Sequence, residues 1–337
     1  MKAMVMDRIG EHLTYCEVPT PTIESADDVI MRVLSCGVCA TDLKVLHGII
    51  DSEGLPRILG HEPAGIVTAV GSAVTNVKVG DRVVSATYLS CRECEYCRSG
   101  HDTLCDNVQG RLGITVDGGF AEYMRIKAQC VVKIPDGVDE AEACVLPCGA
   151  GVPYHALIKR IQLRATDKVL ILGVGGVGTQ AIQLCNLCGA TAIAVDLDEE
   201  KLALAKSSGA VAAINTKDPD WAEKLKCLPE ITAIFDTIGL PGILNQCLPA
   251  LKKGGKIVLV GYGPGKELQI EMAKIVLNEY EVYGSRGVGI KDVEDLMELL
   301  AQKKFNPVVT RYPLSELNQI IDKINSNQLV GRAVVVP

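Results

Sequence analysis

No stretch of the 337 residues approaches the run of about 18 uninterrupted apolar side chains that a membrane-spanning helix needs. An excess of positive charge is missing too. Lys and Arg number 34 against 41 Asp and Glu, a net charge of -7, and the basic residues are scattered. That balance argues against nucleic acid or an anionic membrane surface as partner. The opening segment, Met1 to Gly10, alternates charged and apolar residues and lacks the apolar run of an export signal. There is no internal repeat and no low-complexity segment, and the single tryptophan, Trp221, carries no functional signal. What is present is 48% hydrophobic and 22% charged, in a chain long enough for two cores. A globular protein of two domains is expected.

Cysteine is abundant, at 14 residues. In an exported chain that would suggest disulfides, but half of these cysteines lie in tight Cys-x-x-Cys spacings, which read as metal sites in a reducing compartment. A cytoplasmic protein is expected.

The first 150 residues look β-rich: Val29 to Ser35, Ala64 to Val70 and Val79 to Val84 are short, β-branched, alternating runs bounded by Gly, Asp or Asn. From Lys168 the rhythm changes to strand, helix, strand, helix. Lys168–Leu172 and Thr191–Val195 read as strands with a helix over Val177–Leu187 between them. Further strands are expected at Val211–Ile214, Thr232–Phe235, Lys256–Val260 and Tyr280–Tyr283. Such alternation implies a parallel sheet covered on both faces. Two amphipathic stretches, Lys291–Gln302 and Leu314–Asn325, precede a closing strand Ala333–Val336.

Gly173-Val174-Gly175-Gly176-Val177-Gly178 follows a predicted strand and opens a predicted helix. Gly173 permits the tight turn, Gly175 lets the backbone approach a pyrophosphate, and Gly178 lets helix and strand pack closely. The helix N-terminus then offers unpaired N–H groups and a positive dipole end to the phosphates. Asp196 ends the next strand, about twenty residues on, where a carboxylate accepts from the ribose 2′-OH. It would repel a 2′-phosphate, and no Arg follows it, so NAD is expected over NADP. Lys201 either covers the ribose or is a surface lysine.

Cys91, Cys94, Cys97 and Cys105 supply four thiolates within one polar loop. Four cysteines so spaced close a tetrahedron around zinc with no open position, the signature of a structural site. Cys39, in CGVCATDL, and His61, in GHEPAGIV, are less telling, since either alone is most often a packed side chain. Together with VGDRV, the four-cysteine loop, GGFAEY, LPCGAGVPYHAL, GVGGVG and Asp196, however, they make the chain resemble the zinc-containing medium-chain alcohol dehydrogenases from end to end.

The resemblance implies a catalytic zinc on Cys39, His61 and Cys148, with the fourth position open for water or the substrate oxygen. Spacing alone does not separate Cys148 from Cys144. A site of two cysteines and one histidine is the ligand set that general zinc chemistry already records for alcohol dehydrogenase. The metal would act there as a Lewis acid. Thr41 matches a hydroxyl that touches the zinc-bound oxygen and starts a proton relay, Asp42 a carboxylate that orients the ligating His, and Glu62 an outer or transient ligand. A chaperonin-10-like β catalytic domain over 1–149 and 285–337 and a doubly wound Rossmann domain over 150–284 are implied, with the active site in the cleft between them. So are two zinc ions per chain, NAD, an alcohol with its aldehyde or ketone as substrate, and a homodimer or homotetramer built at the sheet edge near Tyr280–Gly284.

One position departs from the pattern. Many members place a His three residues after the Thr, where this chain has Lys44. A lysine is a poor base near neutral pH unless burial or nearby positive charge depresses its pKa. Lys44 on a cofactor phosphate, His47 in the relay, or proton exit through water would each account for it. Cys185 and Cys188, on the helix after the glycine loop, read as core, as do Cys36, Cys130, Cys144, Cys227 and Cys247, with Cys36 the best claimant to an exception. Asp236, Gly239 and Gly261 fall on loops that should line the cofactor cleft. Substrate walls are expected around Thr41, Ala86–Tyr88 and the loop after Gly261, and Ala86 would leave room for something bulkier than ethanol. Three rival readings are a zinc polyol or sugar-alcohol dehydrogenase, whose usual Glu ligand Cys148 contradicts, a reductase of activated double bonds, and a non-catalytic zinc and nucleotide-binding protein.

Overall fold

Alternation of buried and outward residues organises the N-terminal strands, and the computed structural model shows how they combine. It describes residues 1–228 and 230–337, which divide into two units, Met1–Gly151 with Gly287–Pro337, and Val152–Arg286. In the first unit a seven-stranded sheet runs in the order Val309–Pro313, Arg332–Val336, Asp28–Gly37, Glu62–Val70, Arg82–Ser85, Val131–Lys133, with Tyr123–Lys127 also paired to Asp28–Gly37. Asp28–Gly37 pairs with three other strands and is buried along almost its whole length. A smaller sheet joins Thr14–Glu17, Lys2–Met6 and Arg57–Ile58. Met31, Leu59, Val67, Phe120 and Val335 lie in the shared core.

The strand expected from Val79 begins only at Arg82. Gly80 takes a φ of +93°, Lys78 N donates to Asp81 Oδ2 at 3.1 Å, and Val79 is left exposed on a turn.

In the second unit six parallel strands stand in the order Ala212–Asn215, Thr191–Asp196, Lys168–Leu172, Ile231–Asp236, Leu251–Leu259, Glu281–Gly284. Counted along the chain, that is third, second, first, fourth, fifth, sixth, the doubly wound order of dinucleotide-binding sheets. Lys168–Leu172 shows why such a strand reads as an unbroken apolar run: Val169 and Ile171 enter one core, Leu170 and Leu172 another. Both faces are covered, so neither can be polar. Helix Glu199–Ser207 starts on Asp198, whose Oδ1 accepts from Glu200 N and Lys201 N. Among the described residues no helix is long and apolar enough to cross a membrane.

Cys227 is a correction: it is exposed rather than in the core. Helix Trp221–Lys226 turns Trp221 and Leu225 inward, and Cys227 follows on its solvent side. Cys188 is half-buried at the end of helix Gly178–Leu187, while Cys36, Cys130, Cys144, Cys185 and Cys247 are buried as expected.

Candidate active site

Cys39 caps helix Ala40–Leu46, and Asp42, in that helix's first turn, reaches back to it. One Asp42 oxygen accepts from Cys39 N at 2.8 Å, and the other meets His61 Nδ1 at 3.0 Å. The carboxylate therefore holds both the thiol's backbone and the imidazole, and leaves His61 Nε2 to face inward. That nitrogen is buried with no hydrogen-bond partner. Cys148 arrives from a turn of π-helix, Leu146–Ala150, with its Sγ 3.9 Å from Cys39 Sγ. Ligand atoms of Cys39, His61, Glu62 and Cys148 all lie within 4.8 Å of one another. Two thiolates at a zinc–sulfur distance of about 2.3 Å in a tetrahedron stand about 3.8 Å apart, so the spacing fits.

The electrostatics fit as well. Burial disfavours a charged His61, but Asp42 and Cys39 outweigh it and push its pKa up to about 10. The hydrogen bond from Cys148 holds Cys39 well below the usual thiol range, against burial and with help from Arg332, while that same bond and burial push Cys148 far up. Two sulfurs 3.9 Å apart and an imidazole nitrogen without a hydrogen-bond partner converge where a divalent cation would sit, and such a cation would take the place of their protons.

Glu62 is fully buried, and its carboxylate is ion-paired to Arg332 through Nη2, with Arg332 Nε donating to Oε2 at 3.2 Å. Its Oε1 lies 3.7 Å from His61 Nε2. Gly37 makes room for this carboxylate, since a Cβ there would stand 2.2 Å from Glu62 Oε2. Arg332 was not singled out from the sequence. The only trace of it is a lone charge heading the apolar run Ala333–Val336, and arginine is rarely buried unless paired.

Thr41 lies in the first turn after Cys39, half-buried. Lys44, one turn further, is half-buried, and burial lowers its pKa. His47 is exposed at the helix end, with its Nε2 3.3 Å from Asn325 Nδ2 on helix Leu317–Asn325. That contact turns His47 toward the C-terminal helix. Thr87 Oγ1 donates to the His61 carbonyl at 3.3 Å, and Ala86 is buried beside it in sequence.

The second cluster is the four-cysteine loop. Cys91 Sγ lies 3.9 Å from Cys97 Sγ and 3.5 Å from Cys105 Sγ. Backbone N–H groups of Glu93 and Cys94 point at Cys91 Sγ and bring its pKa down to about 6. These separations again match a thiolate tetrahedron around zinc, with no open corner.

In the other unit Gly173 carries a φ of +85°, and a Cβ on Gly178 would stand 1.9 Å from the Gly173 carbonyl. A Cβ on Gly175 would meet nothing within 4 Å, which is the free space a pyrophosphate requires. Gly176 and Val177 complete the turn into helix Gly178–Leu187. Asp196 Oδ2 accepts from Val174 N at 2.7 Å, and Oδ1 accepts from Leu197 N and Asp198 N. Three of about four lone-pair positions are used, which leaves one for a ribose hydroxyl. Lys201 is 4% exposed, so it is not a surface lysine. Asp236 Oδ1 accepts from Ile238 N and Gly239 N, which shapes the loop after its strand.

A doubly wound sheet with a phosphate-type glycine loop, joined to a β unit carrying two sets of soft metal ligands, defines a metal- and dinucleotide-dependent oxidoreductase. Known proteins agree. Residues 25–136 match the alcohol dehydrogenase GroES-like domain, and residues 176–302 the zinc-binding dehydrogenase family. An alcohol dehydrogenase of Geobacillus stearothermophilus is 38% identical over 99% of both chains. An acryloyl-coenzyme A reductase of Sulfurisphaera tokodaii is 32% identical over 100% of both. The structure of the alcohol dehydrogenase from the hyperthermophilic archaeon Aeropyrum pernix superimposes with a TM-score of 0.92 at 30% identity, covering 100% of each chain. The chain belongs to the zinc-containing medium-chain dehydrogenase/reductase family, and it is an oxidoreductase.

Proposed function

We propose that the protein is a zinc-dependent alcohol dehydrogenase that interconverts an alcohol and its aldehyde or ketone with NAD. The observation that carries this is the set of Cys39, His61 and Cys148, with an unpartnered Nε2 and two sulfurs 3.9 Å apart where a cation belongs. Zinc held by these three would supply a Lewis acid for the substrate oxygen, and NAD the acceptor of the hydride. Asp42 fixes the tautomer and direction of His61 by holding Nδ1. Thr41 offers a hydroxyl one step from the metal ligand, suited to pass the substrate proton outward. Arg332 holds Glu62 through both carboxylate oxygens, which leaves the fourth zinc position to water or substrate. The Gly173–Gly178 loop receives the pyrophosphate and Asp196 the ribose, which Lys201, buried on the helix that follows Asp196, covers.

A second zinc on Cys91, Cys94, Cys97 and Cys105 fastens its loop and takes no part in chemistry. Free thiolates of this kind persist in a reducing compartment, which favours the cytoplasm. Strand Glu281–Gly284 is the outer edge of its sheet among the described residues, and Met272, Val276, Leu277 and Val282 nearby are exposed. An edge with apolar flanks suits pairing with a second copy, so a homodimer, or a homotetramer built as a dimer of dimers, is the expected assembly.

The acryloyl-coenzyme A reductase relative keeps one other reading in play, reduction of an activated double bond. One experiment separates them. NADH formation is followed in the near-ultraviolet across primary, secondary, aromatic and polyhydric alcohols, with NAD and NADP. NAD(P)H consumption is followed with an α,β-unsaturated thioester. Each is repeated after chelation and with Cys148→Ser. Chelator-sensitive, Cys148-dependent alcohol oxidation with NAD supports the proposal. Thioester reduction indifferent to both treatments overturns it.

A further inference from the structure

The four-cysteine loop contains a buried acid that metal binding does not require. Asp102 stands between Cys97 and Cys105, at the start of the 3-10 turn Asp102–Leu104. Its Oδ2 accepts from Arg92 Nη1 at 2.7 Å and from the backbone N–H of Ile290 at 3.2 Å. Arg92 lies between Cys91 and Cys94 with a φ of +64°, and its Nη2 donates to the Gln129 carbonyl, while Gln129 Nε2 donates to Ser90 O. One carboxylate thus joins both halves of the cysteine loop to a residue 188 positions away.

Ile290 is the first residue of helix Ile290–Ala301, and the cap position before it is Gly289. Glycine has no side-chain oxygen to accept from the helix's open N–H groups, so Asp102 caps the helix from a distant loop. A carboxylate there also meets the positive end of the helix dipole.

The capped segment is where the chain re-enters its unit, at Gly287. Gly287 has a φ of +62° and sits so close to Tyr88 and Thr103 that a Cβ would collide with the ring. Val288 lies against Gly151, and helix Ile290–Ala301 packs on the turn Leu146–Ala150 that carries Cys148. A continuous path of contacts therefore leads from the cysteine loop through Asp102, Ile290 and Val288 to the seat of Cys148.

We propose that Asp102, held by Arg92, is a positioning residue that transmits closure of the four-cysteine loop to the Cys148 thiolate. This rests on reading Cys39, His61 and Cys148 as a zinc site. Loss of the carboxylate frees the start of the helix, loosens the turn it braces, and weakens the hold of Cys148 on metal without touching any ligand.

Zinc release from the full-length, zinc-loaded protein to a chromogenic chelator tests this. The phase missing in Cys148→Ser belongs to the Cys39, His61 and Cys148 set. Asp102→Ala is expected to speed that phase about tenfold, the low end of what orienting groups around metal ligands contribute. It should also shift the visible absorption of the cobalt-substituted site. Asp102→Asn, which keeps an acceptor for Ile290 N–H, should do less. Acceleration of the four-cysteine phase alone, or of neither phase, overturns the proposal. Should Asp102→Ala not fold, Arg92→Gly, suited to a φ of +64°, carries the same test with the same two outcomes. A wild-type protein with one release phase, unchanged by Cys148→Ser, would sink the zinc-site reading itself.

Discussion

Replacing Arg332 with leucine removes the positive partner of a glutamate that has no access to water. Glu62 is 0% exposed and Arg332 5%, and both carboxylate oxygens of Glu62 are engaged by the guanidinium. Breaking a buried pair from one side leaves an uncompensated charge and costs about 3–5 kcal/mol. At about 2–4 °C per kcal/mol for a unit of this size, the melting temperature should fall by roughly 6–20 °C. The reasoning is checked by adding Glu62→Gln to Arg332→Leu. The double variant buries a neutral amide in place of a lone carboxylate, so its loss should shrink to about 1–3 kcal/mol. Urea unfolding of the metal-loaded protein reads both numbers. A single variant that loses less than about 1 kcal/mol would refute the account, because a buried lone charge cannot be that cheap. So would a double variant no more stable than the single one.

Three further outcomes follow from the same geometry. Asp42→Ala removes the partner of both His61 Nδ1 and Cys39 N, and zinc affinity measured by chelator competition should fall about 10–100-fold. Asp28 bonds to Lys127 at 2.9 Å and accepts from Glu24 N and Ser25 N; burial opposes these contacts, yet its pKa is lowered to about 2. Stability from a carboxylate held low is present above its unfolded pKa and lost as the pH falls from about 4 toward 2, so Asp28→Asn should flatten that part of the acid-unfolding curve. Asp196→Asn removes the charge that repels a 2′-phosphate, and the preference for NADH over NADPH, read by fluorescence titration, should narrow by about tenfold, or 1.4 kcal/mol.

Elements whose periodicity is local were legible before any coordinates. Lys168–Leu172 has the bounds expected of it, because its stretch Val169–Leu172, covered on both faces, must be apolar. Leu251–Leu259 begins five residues before the expected Lys256, since Lys252, Lys253, Gly254 and Gly255 carry no strand pattern and join the sheet only beside a register shift in Ile231–Asp236. The N-terminal strands Lys2–Met6 and Thr14–Glu17 were missed for a related reason: they pair with each other and with a two-residue strand, the first is buried without a break from Ala3 to Met6, and the second is almost wholly exposed.

The site divides in the same way. Cysteines close in sequence announce the four-cysteine loop, whereas the other cluster is assembled from three distant segments. Cys144 and Cys148 look alike in the sequence. In the structure Cys144 Sγ donates to the Ala141 carbonyl at 3.3 Å, while Cys148, on a turn of π-helix, reaches Cys39. No residue pattern forecasts that turn. Arg332 was illegible because its meaning depends wholly on Glu62, and nothing in the intervening chain announces the pairing.

The strand Arg332–Val336 lies beside Asp28–Gly37, with Val334 opposite Gly37 and Val335 opposite Cys36. Its place between Asp28–Gly37 and the edge strand Val309–Pro313 has a consequence for biosynthesis. Glu62 and Arg332 are 270 residues apart, so at about 5–20 residues per second the ribosome needs roughly 14–54 s to deliver the counter-ion after the carboxylate. Throughout that interval the nascent sheet has a gap where its last strand belongs. The contiguous segment Val152–Arg286 emerges whole in the meantime and can fold on its own schedule. The unit that carries Cys39, His61 and Cys148 is therefore completed only after that segment, and a chain stopped before Arg332–Val336 would carry the proposed zinc ligands yet lack the residue that keeps Glu62 in check.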